Sequence, residues 1–187
     1  LNDISVGRPI FKNGRLAAFA ASTAHAPDIG GKVRSVVAKE LFEEGFQIPA
    51  MKLLDRGEPD HTLIKLFRAQ VRTPDQTEGD LWAQLTGLAL IGARVTELMD
   101  EYGLPDLTAF GEEIQGRSER AMRAAMTDVP DGRYEAHFDT DGFGDMPLHF
   151  QCAITVEGDR ISVDFTGTSA QIPRAINCTM NYTFAMV

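Results

Sequence analysis

The sequence contains little cysteine, little positive charge and no long apolar run. Its two cysteines, Cys152 and Cys178, are too few for a disulfide framework or a metal cage made of thiolates. The 27 acidic residues outnumber the 18 basic ones, and the formal charge of −9 disfavours nucleic acid as a partner. No apolar run approaches the roughly 20 residues that a bilayer span needs, and nothing resembles a signal peptide. We therefore expect a folded cytoplasmic protein without a membrane partner.

The start of the chain predicts a β-hairpin. The segments ISVGRPIF and RLAAFAAST flank Asn13-Gly14, and an Asn-Gly pair favours a two-residue turn because both turn residues adopt positive φ. Pro9 cannot donate to a ladder hydrogen bond. The first strand should therefore be an edge strand or contain a bulge.

Helical periodicity dominates the middle of the chain. We expect a short helix from Ser35 to Gly45, and another helix that ends before Pro74. The longest apolar stripe predicts a helix over 80–102, and a second helix follows over about 106–129. These last two helices are expected to form a long helical hairpin.

After residue 131 the apolar period changes to two, which predicts a three-stranded antiparallel meander. The predicted fold class is therefore α+β. Within one region we assign the hairpin and the loop after it to 1–34, the mainly helical part to 35–130, and the sheet with the start of a further segment to 131–187. The chain opens at Leu1 without a methionine and stops in the apolar NYTFAMV, so we expect a fragment of a larger protein.

The segment STAHAPDIGG, residues 22–31, places a histidine, an aspartate and two glycines directly after an apolar strand. In a regular hairpin register Asp3 faces the residue before His25, but one bulge in the second strand would place Asp3 opposite His25. An imidazole with the carboxylates of Asp3 and Asp28 suits Mn²⁺, Zn²⁺ or Fe²⁺, and the paired glycines would let the backbone pass close to a metal or substrate. The residues alone leave open that Asp28 only closes a turn and that His25 is a surface residue.

Other polar motifs have structural explanations. Asp80 is expected to be a helix N-cap, and an active-site role for Asp80 with Gln84, one helical turn further on, is the less favoured alternative. The DTDGFGD segment at 139–145 is similar to a calcium loop, but Phe150 stands where an EF-hand needs a glutamate, which excludes that motif. The remaining histidines have no paired spacing and are expected to be structural or surface residues: His61, His137 and His149.

Four segments, spread in order over nearly the whole chain, indicate a family. They are LNDISVGRPIFKNGRLAAFAASTAHAPDIGG, VRTPDQTEGDLWAQLTG, PDGRYEAHFDTDG and ISVDFTGTSAQIPRAIN. Together they resemble the hydantoinase B/oxoprolinase family. This family comprises the B subunit of ATP-dependent hydantoinases, the matching part of 5-oxoprolinase and a subunit of acetone carboxylase.

The resemblance implies the metal-binding B subunit of an ATP-dependent cyclic-amide hydrolase. Asp3 and His25 match metal-ligand positions, a further histidine ligand would fall immediately before Leu1, and Asp28 matches a position that would act in catalysis by orienting a ligand or water. The implied cofactors are a divalent Mn, Zn or Fe ion and ATP, the latter used by an A-type partner subunit.

The same resemblance implies the partners. They are the A-type ATP-binding subunit, the remainder of the chain's own polypeptide and a small cyclic amide such as a hydantoin or an oxoproline, and the fragment alone is expected to be inactive. Many relatives have adjacent histidines where this chain has His25-Ala26, which leaves the metal open. A carboxylase subunit of the acetone-carboxylase type and a non-catalytic assembly module also stay open as alternatives.

Overall fold

The computed structural model describes residues 3–32 and 36–187, and it combines helices with small antiparallel sheets. The predicted α+β fold class is confirmed. The described residues form two compact units, a first unit up to Leu107 with Pro173–Ile176 and a second unit of Thr108–Ile172 with Asn177–Val187. The elements in chain order are β1 (Asp3–Lys12), β2 (Arg15–His25), β3 (Leu54–Asp55), β4 (Glu58–Pro59), α1 (His61–Gln70), α2 (Pro74–Glu101), α3 (Thr108–Met126), β5 (Gly132–Phe143), β6 (Met146–Glu157), β7 (Arg160–Asp164) and α4 (Met180–Met186).

Strands β1 and β2 form the predicted antiparallel hairpin. Its turn residues Asn13 and Gly14 have φ values of 51° and 75°, as a two-residue turn between twisted strands requires. The register shifts by one residue after Ile10, where β2 contains one extra residue and forms a bulge. This shift places Asp3 directly opposite His25, so the predicted bulge is confirmed.

One face of the hairpin packs against α2. Ile10 and Ala20 from the two strands form a buried cluster with Leu88 of the helix. Since successive side chains of a strand point to opposite faces, Asp3 and His25 project from the other face. The 28-residue helix therefore supports the hairpin from behind and leaves the Asp3 side accessible.

Helices α1 and α2 pack against each other beside the hairpin. The carboxylate of Asp60 caps α1 by accepting bonds from two backbone N–H groups of its first turn. Arg68 of α1 pairs with Asp75 at 2.6 Å and with Glu78, both on α2. The buried cluster beneath them consists of Ile64, Phe67, Val71 and Leu81.

Two of the predicted helices have the wrong bounds. Helix α2 begins at Pro74, because proline fits the first turn of a helix, and its first two turns are polar and show no apolar period. Asp80 therefore lies inside the helix and is not its N-cap. The helix predicted over 35–45 is reduced in the described residues to a 3₁₀ turn at Leu41–Glu43, because a short segment with adjacent β-branched valines gains little from helix formation. Its predicted N-cap, Ser35, lies outside the described residues.

The second unit contains the predicted meander, with strand order β5-β6-β7. Phe138 and Phe150 stack across β5 and β6 with ring centroids 4.8 Å apart. Helix α3 belongs to this unit, and its Arg123 pairs with Asp159 at 3.2 Å. Both long helices of the predicted hairpin are present, but α2 and α3 belong to different units. None of the helices formed by residues 3–32 and 36–187 combines the length and hydropathy of a membrane span.

Candidate functional site

Asp3 and His25 meet at the open end of the first hairpin. They are cross-strand partners, and Nδ1 of His25 is hydrogen-bonded to Oδ1 of Asp3. The His25 side chain is 73% exposed and that of Asp3 is 27% exposed. An imidazole and a carboxylate are thus held side by side on the solvent-facing surface of a sheet.

Two further contacts fix the geometry of this end of the hairpin. The next cross-strand pair on the same face is Ser5 with Thr23, whose hydroxyl oxygens lie 2.8 Å apart. From behind, the amide of Gln84 on α2 donates to the carbonyl oxygen of Ile4 at 3.1 Å. Gln84, which the sequence analysis considered for a direct active-site role, therefore anchors the strand that bears Asp3.

The donor atoms of the pair suit a divalent transition metal. The hydrogen bond uses Nδ1 of His25 and Oδ1 of Asp3, so Nε2 and Oδ2 are the atoms with which the pair would hold a cation. One nitrogen and one oxygen donor fit Mn²⁺, Zn²⁺ or Fe²⁺. Within residues 3–32 and 36–187, however, no three His, Cys, Asp or Glu side chains are gathered around a common metal position. The described pair is therefore part of a ligand set at most.

Asp28 lies after the second strand and is engaged differently. Its side chain is only 6% exposed. Oδ1 accepts hydrogen bonds from the backbone N–H of Gly30 at 2.9 Å and from Nη1 of Arg72 at 2.8 Å, and Oδ2 accepts one from the backbone N–H of Arg72. The guanidinium of Arg72 also donates to the carbonyl oxygen of Gly31 at 3.0 Å. Asp28 thus ties its loop to the segment that follows α1.

The environment of Asp28 keeps it ionised. Burial on its own raises the pKa of this carboxyl group, but the backbone N–H groups of Arg72 and Gly30 and the Arg72 guanidinium outweigh burial, so the pKa of Asp28 is lowered from its ordinary value. A carboxylate with a lowered pKa and three donors is a poor proton carrier. These contacts give it the character of a structural support.

The paired glycines allow close backbone contact within the protein. Gly30 and Gly31 have φ values of 83° and 52°, which favour glycine. A Cβ on Gly30 would lie 2.8 Å from the carbonyl oxygen of Gln70, and a Cβ on Gly31 would lie 2.5 Å from that of Glu43. The backbone N–H of Lys32 donates to the same Glu43 oxygen at 2.8 Å. The close approach that the sequence predicted is therefore made to the chain's own backbone.

The structure brings together only two of the three residues that the sequence singled out. Asp3 and His25 are in contact, whereas the hydrogen bonds of Asp28 go to Gly30 and Arg72. Arg72 was missed by the sequence analysis, because an arginine 44 residues from its partner shows no local spacing or periodicity. A buried aspartate that needs a cation is visible only in three dimensions.

Comparison with known proteins gives a consistent picture. The B subunit of a D-/L-hydantoinase, named putative, from Pseudomonas sp. (strain NS671) is 32% identical over 180 residues, which cover 91% of this chain and 30% of that protein. The beta subunit of the caprolactamase of Pseudomonas jessenii is 34% identical over 181 residues, covering 94% and 31%. The crystal structure of the ATP-dependent caprolactamase from Pseudomonas jessenii superimposes with a TM-score of 0.88 at 29% identity, covering 98% of this chain and 32% of that one.

The chain spans about a third of the length of the curated relatives that it matches. The family model described as Hydantoinase B/oxoprolinase matches residues 1–187, which is the entire sequence. The chain therefore belongs to the hydantoinase B/oxoprolinase family.

Proposed function

We propose that the protein containing this chain is the metal-binding B-type subunit of a cytoplasmic, ATP-dependent cyclic-amide hydrolase. It would open the ring of a hydantoin-like or oxoproline-like substrate together with an A-type subunit that uses ATP. The observation that carries the proposal is the Asp3–His25 pair, which stands on the exposed face of a hairpin supported by α2. Family membership and the hydrolases among the relatives support it.

Within this proposal Asp3 and His25 would hold a divalent Mn, Zn or Fe ion. Such an ion, when bound, polarises a carbonyl group or lowers the pKa of a water molecule. The carboxylate of Asp3 accepts from Nδ1 of His25, and this bond fixes the tautomer and the orientation of the ring, with Nε2 directed away from Asp3. Further ligands would come from residues other than those that the structure describes.

Asp28 would act in the same site as a positioning residue. Its bonds to Gly30 and Arg72 fix the loop that leaves β2 immediately after His25. A loop held in this way restrains the backbone on the C-terminal side of His25, while the cross-strand pairing restrains it on the other side. This indirect role replaces the direct catalytic role that the sequence resemblance assigned to Asp28.

The test uses the full-length protein with its A-type partner. Ring opening of hydantoin, 5-oxoproline and caprolactam is measured by mass spectrometry with and without ATP, after chelator treatment and after metal is restored. We expect hydrolysis of at least one substrate that requires both ATP and metal, and no turnover when the partner is omitted. Undiminished ring opening in the metal-free enzyme would contradict the proposal, and a carboxylated product would replace the hydrolase with a carboxylase.

A further inference from the structure

Two histidines and an aspartate share one face of the sheet in the second unit. Asp139 of β5 lies opposite His149 of β6 in the register. His137 lies two residues before Asp139, and side chains two residues apart on a strand project from the same face. None of these residues belongs to the proposed site on the first hairpin.

The three side chains are already in contact. Oδ1 of Asp139 is hydrogen-bonded to Nδ1 of His149 at 2.8 Å, which leaves Nε2 of His149 for a ligand. The rings of His137 and His149 have centroids 5.8 Å apart and planes inclined by 31°. Two imidazoles that bind one metal ion through bonds of about 2.1 Å have centroids roughly 5–6 Å apart. The spacing therefore fits a shared ion, with Asp139 orienting one of its ligands.

The backbone around these residues is fixed on both strands. The backbone N–H of His149 donates to Oγ of Ser169 at 2.9 Å, and its carbonyl oxygen accepts from the backbone N–H of Ser169 at 2.8 Å. On β5 the register shifts after Thr140, and a Cβ on Gly142 would lie 1.8 Å from the carbonyl oxygen of Met146. Bulges of this kind are common beside functional sites and aim neighbouring side chains.

The cluster is also open to solvent. The His149 side chain is 37% exposed and that of Asp139 is 73% exposed, so an ion can reach the imidazole nitrogens directly. The described residues hold no ready-made group of three ligands, and water would complete the coordination sphere of an ion bound by two histidines. A site of this kind is weaker than a closed structural zinc site.

We propose that His137 and His149 bind a divalent transition-metal ion of the class that prefers imidazole, namely Zn²⁺, Ni²⁺ or Cu²⁺, and that Asp139 positions His149 for this purpose. This site is separate from the Asp3–His25 pair, and it does not depend on the function proposed above. Its donors are two neutral imidazoles, so it selects against Mg²⁺ and Ca²⁺, which prefer oxygen ligands.

The experiment is a Zn²⁺ titration of the full-length, chelator-treated protein by calorimetry. All proteins carry His25→Ala, so that the hairpin pair does not contribute to the signal. We expect His137→Ala and His149→Ala each to weaken the remaining binding step by at least about 10-fold, and Asp139→Asn to weaken it by about 10-fold. His61→Ala, which removes an exposed histidine at the start of α1, is the matched control and should leave the isotherm unchanged.

A second measurement needs no substitution. Zn²⁺ should protect His137 and His149, but not His61, from acylation by diethyl pyrocarbonate, as read by peptide mass spectrometry of the wild-type protein. The proposal is overturned if the His25→Ala protein binds no Zn²⁺, if its isotherm survives loss of both histidines, or if Zn²⁺ does not change the labelling of His137 and His149. Mg²⁺ in place of Zn²⁺ should give no protection, and equal protection by Mg²⁺ would also overturn the assignment.

Discussion

Asp3 and His25 stand 22 residues apart in the sequence and directly opposite each other in the hairpin. A two-residue turn without a bulge would pair His25 with the residue before Asp3 and send the two side chains to opposite faces. The extra residue in β2 corrects this mismatch. A local irregularity of one strand thus decides which side chains share the accessible face.

The first prediction concerns the buried carboxylate of Asp28. Asp28→Ala leaves the donors of Gly30 and Arg72 without their acceptor, and we expect it to lower the free energy of unfolding by about 2–4 kcal/mol. Asp28→Asn should lower it by less, because one of its two acceptor oxygens is kept. Urea unfolding of the full-length protein measures both values.

The matched control for this series is Asp55→Ala. Asp55 pairs with Lys52 at 2.9 Å, and both side chains are mostly exposed, so this change should alter the free energy of unfolding by no more than about 0.5 kcal/mol. Equal effects at Asp28 and Asp55 would show that the Arg72 contact contributes nothing to stability.

The second prediction is a pH dependence that follows from the lowered pKa of Asp28. A depressed folded-state pKa stabilises the fold above the unfolded-state pKa, and this stabilisation is lost as the pH falls through the folded-state value. The stability difference between the wild type and Asp28→Asn should therefore be constant from pH 5 to 8 and shrink below about pH 4. Thermal unfolding over that range measures it, and a difference that stays constant down to pH 3 would refute the ionised Asp28–Arg72 pair.

The third prediction separates backbone strain from steric overlap at the paired glycines. Gly31 and Gly103 have similar φ values of 52° and 64°, but only a Cβ on Gly31 meets other atoms, at 2.5 Å from the Glu43 oxygen. Gly103→Ala should cost about 1–2 kcal/mol from the left-handed backbone alone, and Gly31→Ala should cost at least about 2 kcal/mol more. Chemical denaturation of the two variants gives the comparison, and equal losses would mean that the loop does not pack as described.

The hairpin and the meander could be predicted because their information is local. Asn13-Gly14 sets the turn, and the period of two beyond Gly132 sets the sheet. The start of α2 could not be predicted from the apolar pattern, because its first two turns are polar and its start at Pro74 depends on contacts with Arg68 of α1. The 35–45 segment failed for the opposite reason, since its weak apolar stripe is not matched by any helix beyond Leu41–Glu43.

The candidate site divides in the same way. The Asp3–His25 contact follows from the turn and one bulge, both of which belong to a continuous hairpin. The ion pair of Asp28 with Arg72 spans 44 residues and depends on how the end of α1 packs against the glycine loop, for which no residue spacing gives a signal. The position of Asp28 in the motif was therefore informative, while its chemistry was not.

The most direct test of the account is His25→Ala in the full-length protein, compared with His61→Ala. The His25 side chain is 73% exposed, so its loss should change the free energy of unfolding by no more than about 0.5 kcal/mol. Bound metal, measured by elemental analysis, and turnover with ATP and the A-type partner should both be lost in His25→Ala and kept in His61→Ala, while ATP binding by the partner persists. A His25→Ala protein that retains its metal and wild-type turnover would contradict the assignment of this site.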